Sequence, residues 1–533
     1  MVEYDVLLKG GVVVDGSGAP PFKADIGIVG DEIVKIGDLT GASSEKTINA
    51  EGLIVTPGFI DIHNHSDLSI FNEPSAHNYV MQGVTTIVVG NCGFSAAPVT
   101  DANRGFLRRF WEALGLKADI KWETFSEYLK HLDELEKSIN ILTLVGHGTV
   151  RSAVLGVKDS TPSDRELLEM KELIEDAMRV GAFGMSTGLI YEPGAYATTH
   201  EIIELAKTTS KHGGLYATHI RNESDTVVEA LLEAIEVGVK ANIPVQISHH
   251  KIFGRKNWGL SKTTLSIMDY FNSRGLDITC DAYPYTAGMT YLLALLPPWT
   301  RTEGLDGFLE RVKSEHVKSK IIEELRKPSK TWENLLYNAG LDEVKLAYAE
   351  HYREYIGLSL LEISRELKLN PYDLIIDILE KDGYKAMVIV GGICEDDMDN
   401  IIKHPLTMIS TDGAITKYEH GKPHPRFYGT YPRTIAKYVK DGKTLRLEEA
   451  IRKMTSLPAR KFKLWDRGLI RPKFKADIVI FNYYTLTDTA TYQNPHRYPE
   501  GIKYVIVNGK IVVDNGRLTG EKPGCLIRYN VER

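Results

Sequence analysis

Through the middle of the chain, short apolar runs alternate with longer polar-apolar stretches. The runs are GFIDIH (58–63), VTTIVVG (84–90), INILTLVG (139–146), GAFGMST (181–187), GLYATH (214–219), PVQISH (244–249), LDITCDAY (276–283) and LTMISTD (406–412). Short continuous apolar runs suit strands buried on both faces. The stretches between them carry helical spacing, as in SDRELLEMKELIEDAMRV, where Ser163 can cap a helix reaching Val180. Eight strands alternating with helices predict an α/β chain with a parallel sheet closed into a (β/α)8 TIM-like barrel. A doubly wound open sheet is the competing arrangement.

The two ends read differently. YDVLLKGGVVVD (4–15), ADIGIVGDEIVKIGD (24–38), KADIVIFN (475–482) and YVIVNGKIVVDNG (504–516) are strand-like runs broken by Gly, Asp and Asn turns. Asn508-Gly509 between two apolar runs predicts a tight hairpin. KGGVVVDGSG near the start resembles NGKIVVDNG near the end. The expectation is one small sheet domain built from residues 1–57 and 466–533, around a catalytic barrel of residues 58–465.

Composition narrows the class. The chain has 533 residues, enough to bury a large core, and a formal net charge of −7 without a basic cluster, which argues against nucleic acid as a partner. The four cysteines, Cys92, Cys280, Cys394 and Cys525, are scattered and show no C-x-x-C, so no disulfide framework is expected. The first residues, MVEYDVLLKGG, lack a basic secretory n-region, and no apolar run is long enough to span a membrane. A cytoplasmic, reducing setting with no membrane partner is the expectation. Oligomeric state is not written in residue types.

A (β/α)8 barrel carries its chemistry at the C-terminal ends of its strands. There stand His63 and His65, spaced to project from one face of a strand; Asn91-Cys92-Gly93; Gly146-His147-Gly148; His219; His249; and Asp412. Singly, each has a bland explanation: a buried inert Cys, a His bonded to a nearby loop, an Asp-Gly turn. Together they are metal-ligand types gathered at one kind of position in a chain with only 16 histidines.

The motifs TPGFIDIHNHSD, QGVTTIVVGNCGFSAAP, VGHGTVR, GLIYEPG, ATHIRNE, VQISHHK, DAYPYTAG, STDG and HPRFYGTYPR, with the tail MTSLPARKFKLWDRGLIRPKFKADIVIF, span nearly the whole chain. In these the sequence resembles the amidohydrolase superfamily and, within it, the N-acyl-D-amino-acid deacylases, or D-aminoacylases. The resemblance implies a metal-bearing barrel with a small β-sandwich made from both chain ends. It implies His63, His65, Cys92, His219 and His249 as ligands, with His249 preferred over His250, and Asp412 as the last-strand carboxylate that contacts metal and handles the proton. Other superfamily members use a carbamylated lysine where this chain has Cys92, and GAFGMST supplies no lysine in its place.

The expected cofactor is Zn²⁺, which suits mixed imidazole and thiolate donors. A Cys92 thiolate lowers the net positive charge, so one tight position and a weaker second are expected. Asp412 is expected to accept a proton from water and deliver it to the leaving nitrogen. His147 and Tyr191 are candidates to donate to the carbonyl oxygen or to support the ligands from behind. For His147 a purely structural role weighs equally. Arg426, in PHPRFYG, is the expected reader of a substrate carboxylate, with Lys251 and Tyr283 as partners. Met289 stands where a small polar residue is expected, which bears on side-chain preference. Residues from about 290 to 350 interrupt the barrel pattern and resemble an insertion covering the site, a candidate mobile lid. The leading function is zinc-dependent hydrolysis of small N-acyl-D-amino acids, with D configuration implied by the resemblance alone. The runner-up is a cyclic amidase of the hydantoinase or dihydroorotase kind. A non-catalytic scaffold ranks third, because all six candidate ligands are present.

Overall fold

The computed structural model describes residues 3–112 and 119–530. Each of the eight apolar runs forms a strand: Phe59–Asp61, Val84–Val89, Asn140–Thr143 continued by Val145–Gly146, Gly184–Gly188, Leu215–His219, Val245–Ile247, Ile278–Ala282 and Thr407–Ile409. Sequential neighbours pair in parallel around the ring. The third strand changes partner at Leu144: Asn140–Thr143 pairs with the second strand, while Val145 and Gly146 pair with Met185 and Ser186 of the fourth.

The eighth strand meets the first at the chemistry-bearing end. Asp412 N donates to His63 O (3.0 Å), and His65 N donates to Gly413 O (2.8 Å). The Tyr431 hydroxyl reaches Ile60 O (3.1 Å) and Ile409 O (3.2 Å), spanning the same seam. Asp61 accepts from Thr411 N (2.9 Å) and Thr411 Oγ1 (2.6 Å). Closing the barrel therefore also brings His63, His65 and Asp412 together.

The helices form as their local chemistry dictates. Asp164–Val180 opens with a capping box between Ser163 and Glu166 and ends at Gly181, φ 118°. It buries Met170, Ile174, Ala177 and Met178, one stripe at helical spacing. Among the described residues, no helix is long and apolar enough to cross a membrane.

Both ends of the chain enter one nine-stranded sheet, which forms the sandwich beside the barrel. Ile54–Pro57 lies at its centre, parallel to Tyr4–Val13 and antiparallel to Ile478–Phe481. Val6, Leu8, Ile26 and Ile28 from the start share a core with Ile478, Ile480 and Ile506 from the end. The Asn508-Gly509 hairpin forms with φ 45° and 78°, the left-handed pair its turn type requires. Beyond it, residues 523–529 return to the barrel, where Ile141 N donates to Cys525 O and Ile527 N to Ile141 O.

Between the seventh and eighth barrel strands the chain makes a long excursion. Its strands Ala287–Tyr291, Val344–Tyr348 and Met387–Gly391 form a small antiparallel sheet, with helices Gly304–Arg311 and Glu315–Leu325 between the first two. It thus extends well past residue 350. A buried ion pair ties it to the barrel: Arg301 Nη1 lies 2.8 Å from Glu192, which also accepts from the hydroxyls of Tyr291 (3.1 Å) and Tyr384 (2.9 Å).

Candidate metal and substrate site

The six strand-end residues converge. Cys92 Sγ lies 3.3 Å from His63 Nε2, 3.5 Å from His249 Nε2 and 3.8 Å from His219 Nδ1. Asp412 Oδ1 lies 3.1 Å from His65 Nε2 and 3.5 Å from His63 Nε2. The candidate donors fall into overlapping groups, His63–His65–Cys92, Cys92–His219–His249 and His63–His249–Asp412, and a fourth group, His219–Glu223–Glu333, shares His219 with them. Cys92, like His63, His219 and His249, belongs to two of them. A buried thiol ringed by imidazole nitrogens beside a carboxylate fits zinc-type donor chemistry. His250 turns the other way: its Nε2 bonds Thr264 Oγ1 (2.9 Å), and burial holds its pKa down at about 4.

Three of these residues have left-handed backbones, Cys92 at φ 51°, His249 at φ 35° and Asp412 at φ 47°. Non-glycine residues seldom adopt this region, and it costs about 1–3 kcal/mol each where the surroundings enforce it. The sharp turns aim these side chains into the barrel mouth. At His249 the enforcing group is Asp281, whose Oδ1 accepts from His249 N (2.9 Å) and from Ser410 Oγ (2.6 Å).

The charges are mutually supporting. Burial alone would raise the Cys92 thiol, but the His63 and His249 imidazoles hold it well below the usual thiol range. Burial would likewise raise Asp412, and Arg426 with the imidazoles holds it well below the usual carboxylate range. His63 is pushed well above its ordinary value against burial, by Cys92 and Asp281. Burial lowers His219.

The expected substrate readers stand beside this cluster. Arg426 Nη1 lies 3.0 Å from Asp412 Oδ2, and its guanidinium sits 4.5 Å above the Tyr283 ring. Lys251 Nζ lies 5.7 Å from the same ring. The Tyr191 ring packs edge-on to His219 at 5.1 Å, and its hydroxyl accepts from Thr290 Oγ1 (3.3 Å). His147 is not brought to the cluster; its Nε2 bonds Glu201 (2.8 Å), which also pairs with Arg151. Met289 packs among Ala414, Phe427 and Tyr428, and His424 N lies 3.4 Å from its sulfur.

Residue types did not single out Asp281, Glu223 or Glu333. Glu223 accepts from Lys251 Nζ (2.7 and 2.9 Å) and from His249 Nδ1 (3.0 Å). Glu333, from the excursion, accepts from Glu223 N (2.7 Å). The signals available were weak: an Asp inside the otherwise apolar LDITCDAY run, and a Glu four residues after His219 in ATHIRNE.

Fold and cluster together define a barrel hydrolase of the metal-dependent kind, and the chain belongs to the amidohydrolase family, which it matches over residues 46–251 and 369–513. Within that family it is 36% identical to the D-aminoacylase of Alcaligenes xylosoxydans xylosoxydans over 98% of this chain and 97% of the relative. A D-aminoacylase structure described for its binuclear metal centre superposes with a TM-score of 0.84 at 35% identity, covering 99% of this chain and all (100%) of that one. The N-acyl-D-glutamate deacylase of Bordetella bronchiseptica, solved with zinc and a phosphonate that mimics the tetrahedral intermediate, superposes with a TM-score of 0.84 at 31% identity, covering 98% and 99%.

Proposed function

We propose that this metal-dependent amidohydrolase cleaves the amide bond of linear N-acyl-D-amino acids, releasing a carboxylate and the free D-amino acid. The observation that carries the reading is the pair of cations, Arg426 and Lys251, flanking the Tyr283 ring beside the thiol-centred cluster. A site that only polarised an amide has no use for a desolvated carboxylate reader. The D-aminoacylase likeness along the whole chain supplies the D configuration.

Each residue has a role that its surroundings support. His63, His65, Cys92, His219, His249 and Asp412 are the residues that would hold the metal. When bound, zinc supplies Lewis acidity and lowers the pKa of a coordinated water to about 7. Asp412, aimed by His65 and Arg426, accepts a proton from the attacking water and returns it to the departing nitrogen. Tyr191 donates to the carbonyl oxygen as charge builds on it. Burial and the Cys92 charge hold its hydroxyl well above the usual phenol range, so it remains a donor. The Arg426 fork receives the α-carboxylate, with Lys251 and Tyr283 beside it.

Side-chain preference is read from the segment that follows Asp412 along the chain. Met289, Ala414, Ile415 and Phe427 line a small cavity, with the half-buried His420 and Lys422. The apolar lining favours D-leucine, D-methionine and D-phenylalanine derivatives over acidic ones; a preference for acidic side chains would instead give Lys422 the reading role. Residues 58–465 form the catalytic unit, with 1–57 and 466–533 as its platform. The setting is cytoplasmic: all four cysteines are unpaired, and Cys92 serves as a thiolate.

The test is turnover of paired N-acetyl-D- and N-acetyl-L-leucine by zinc-loaded protein. The D compound is expected to be hydrolysed and the L compound to be a far poorer substrate. Equal rates, or hydrolysis of cyclic ureides alone, would overturn the reading.

A further inference from the structure

One buried carboxylate beside the six-residue cluster touches both halves of the site; it also groups with His219 and Glu333, but both its oxygens are engaged by Lys251. Glu223 stands four residues after His219 and is 5% exposed. Its Oε1 is 3.0 Å from His249 Nδ1, and its Oε2 is 3.7 Å from His219 Nε2. These are the ring nitrogens facing away from Cys92, since His249 turns Nε2 and His219 turns Nδ1 toward the sulfur. The same two oxygens hold Lys251 Nζ at 2.7 and 2.9 Å. Lys251 therefore does not float toward substrate; it is fixed over the Tyr283 ring by Glu223.

We propose that Glu223 is a positioning residue that orients the His219 and His249 imidazoles and, with the same carboxylate, aims Lys251 at the substrate carboxylate. The substrate half of this role rests on the deacylase reading; the metal half rests on the cluster alone. The chemistry of His249 links the halves. An imidazole that binds metal through Nε2 carries its proton on Nδ1 and must donate it, and Glu223 Oε1 is the acceptor in place. Lys251 Nζ also lies 2.7 Å from His249 Nδ1. Once Nδ1 carries a proton it no longer accepts from Lys251. Two of the three ammonium protons stay on Glu223, and the third is left for a carboxylate.

Glu223 is itself held from the excursion. Its backbone N–H donates to Glu333 Oε1, and its carbonyl accepts from Phe253 N (2.8 Å). This brings the inserted segment into contact with the residue that supports the metal ligands.

The experiment is Glu223→Gln, which keeps the shape and removes the charge. Zinc affinity, read by competition with a chromophoric chelator, is expected to fall about 10- to 100-fold. KM for N-acetyl-D-leucine is expected to rise about tenfold, while KM for its neutral carboxamide does not move. The metal-free protein is expected to lose thermal stability as well, because the buried Lys251 is left without its carboxylate, so the zinc and KM readings are made well below its unfolding temperature. Zinc affinity and KM both within about twofold of wild type would overturn the proposal, as would a fall in metal-free stability without a change in either. Should the Gln variant not fold, Lys251→Met decides: it must raise KM for the carboxylate substrate and leave zinc affinity unchanged, and any other pattern overturns the coupling. Wild-type protein that binds zinc normally but hydrolyses no N-acyl-D-amino acid would sink the deacylase reading, while the zinc arm would still judge Glu223.

Discussion

At the scale of single residues, the site is made of side chains that would be costly apart. A thiol, five imidazole or carboxylate groups and an arginine share a desolvated space, and each keeps its charge state through the others. Removing one ligand should therefore cost metal as well as rate. His219→Ala and His249→Ala are expected to lose tightly bound zinc together with activity; elemental analysis finding stoichiometric zinc in either would remove that residue from the ligand set. Asp412→Asn separates the functions. The amide cannot take a proton from water, so turnover should collapse while the Cys92-centred zinc is largely kept. Near-wild-type turnover in that variant would contradict the proton role. His63-x-His65 was legible because an apolar strand ended there and a period of two put both rings on one face. Asp281 and Glu223 were not, because a carboxylate that supports ligands is defined by what folds against it, and no local pattern records that.

At the scale of elements, the barrel was legible because each strand is short, apolar and bounded, so neither length nor composition suits anything else. The break at Leu144 escaped notice: INILTLVG is one apolar run, yet it pairs with two different neighbours on either side of that residue. The excursion was legible only as an interruption. Its small sheet joins residues about a hundred positions apart, from Ala287–Tyr291 to Met387–Gly391, and local periodicity carries no trace of such pairing. Its attachment to the barrel rests on Glu192 and Arg301, which are 1% and 2% exposed. Removing one partner of a buried pair leaves the other uncompensated, at a cost of about 3–5 kcal/mol. Glu192→Ala should lower thermal stability accordingly and speed amide hydrogen exchange in residues 290–350 ahead of the barrel strands. Exchange that is unchanged in that segment would mean the excursion is held by its other contacts, such as Glu333 on Glu223 N.

At the scale of the whole molecule, one sheet gathers both chain ends, and the barrel seam closes on Asp61, Thr411 and Tyr431 next to the ligands. Stability and site geometry are therefore linked through the same closure. The central claim is that a carboxylate reader works beside the metal cluster, and Arg426 tests it most directly. A charge-assisted pair with a substrate carboxylate contributes about 1.5–3 kcal/mol, so Arg426→Ala should lower kcat/KM about 10- to 100-fold with zinc content unchanged. Because Arg426 also pairs with Asp412, the rate loss alone is ambiguous, and the comparison has to be made between substrates. The deciding measurement is the ratio of kcat/KM for N-acetyl-D-leucine to that for its neutral carboxamide, in wild type and in Arg426→Ala. Strong discrimination in wild type that disappears in the variant is the predicted result; equal discrimination in both proteins would contradict the account and leave the carboxylate to be read elsewhere.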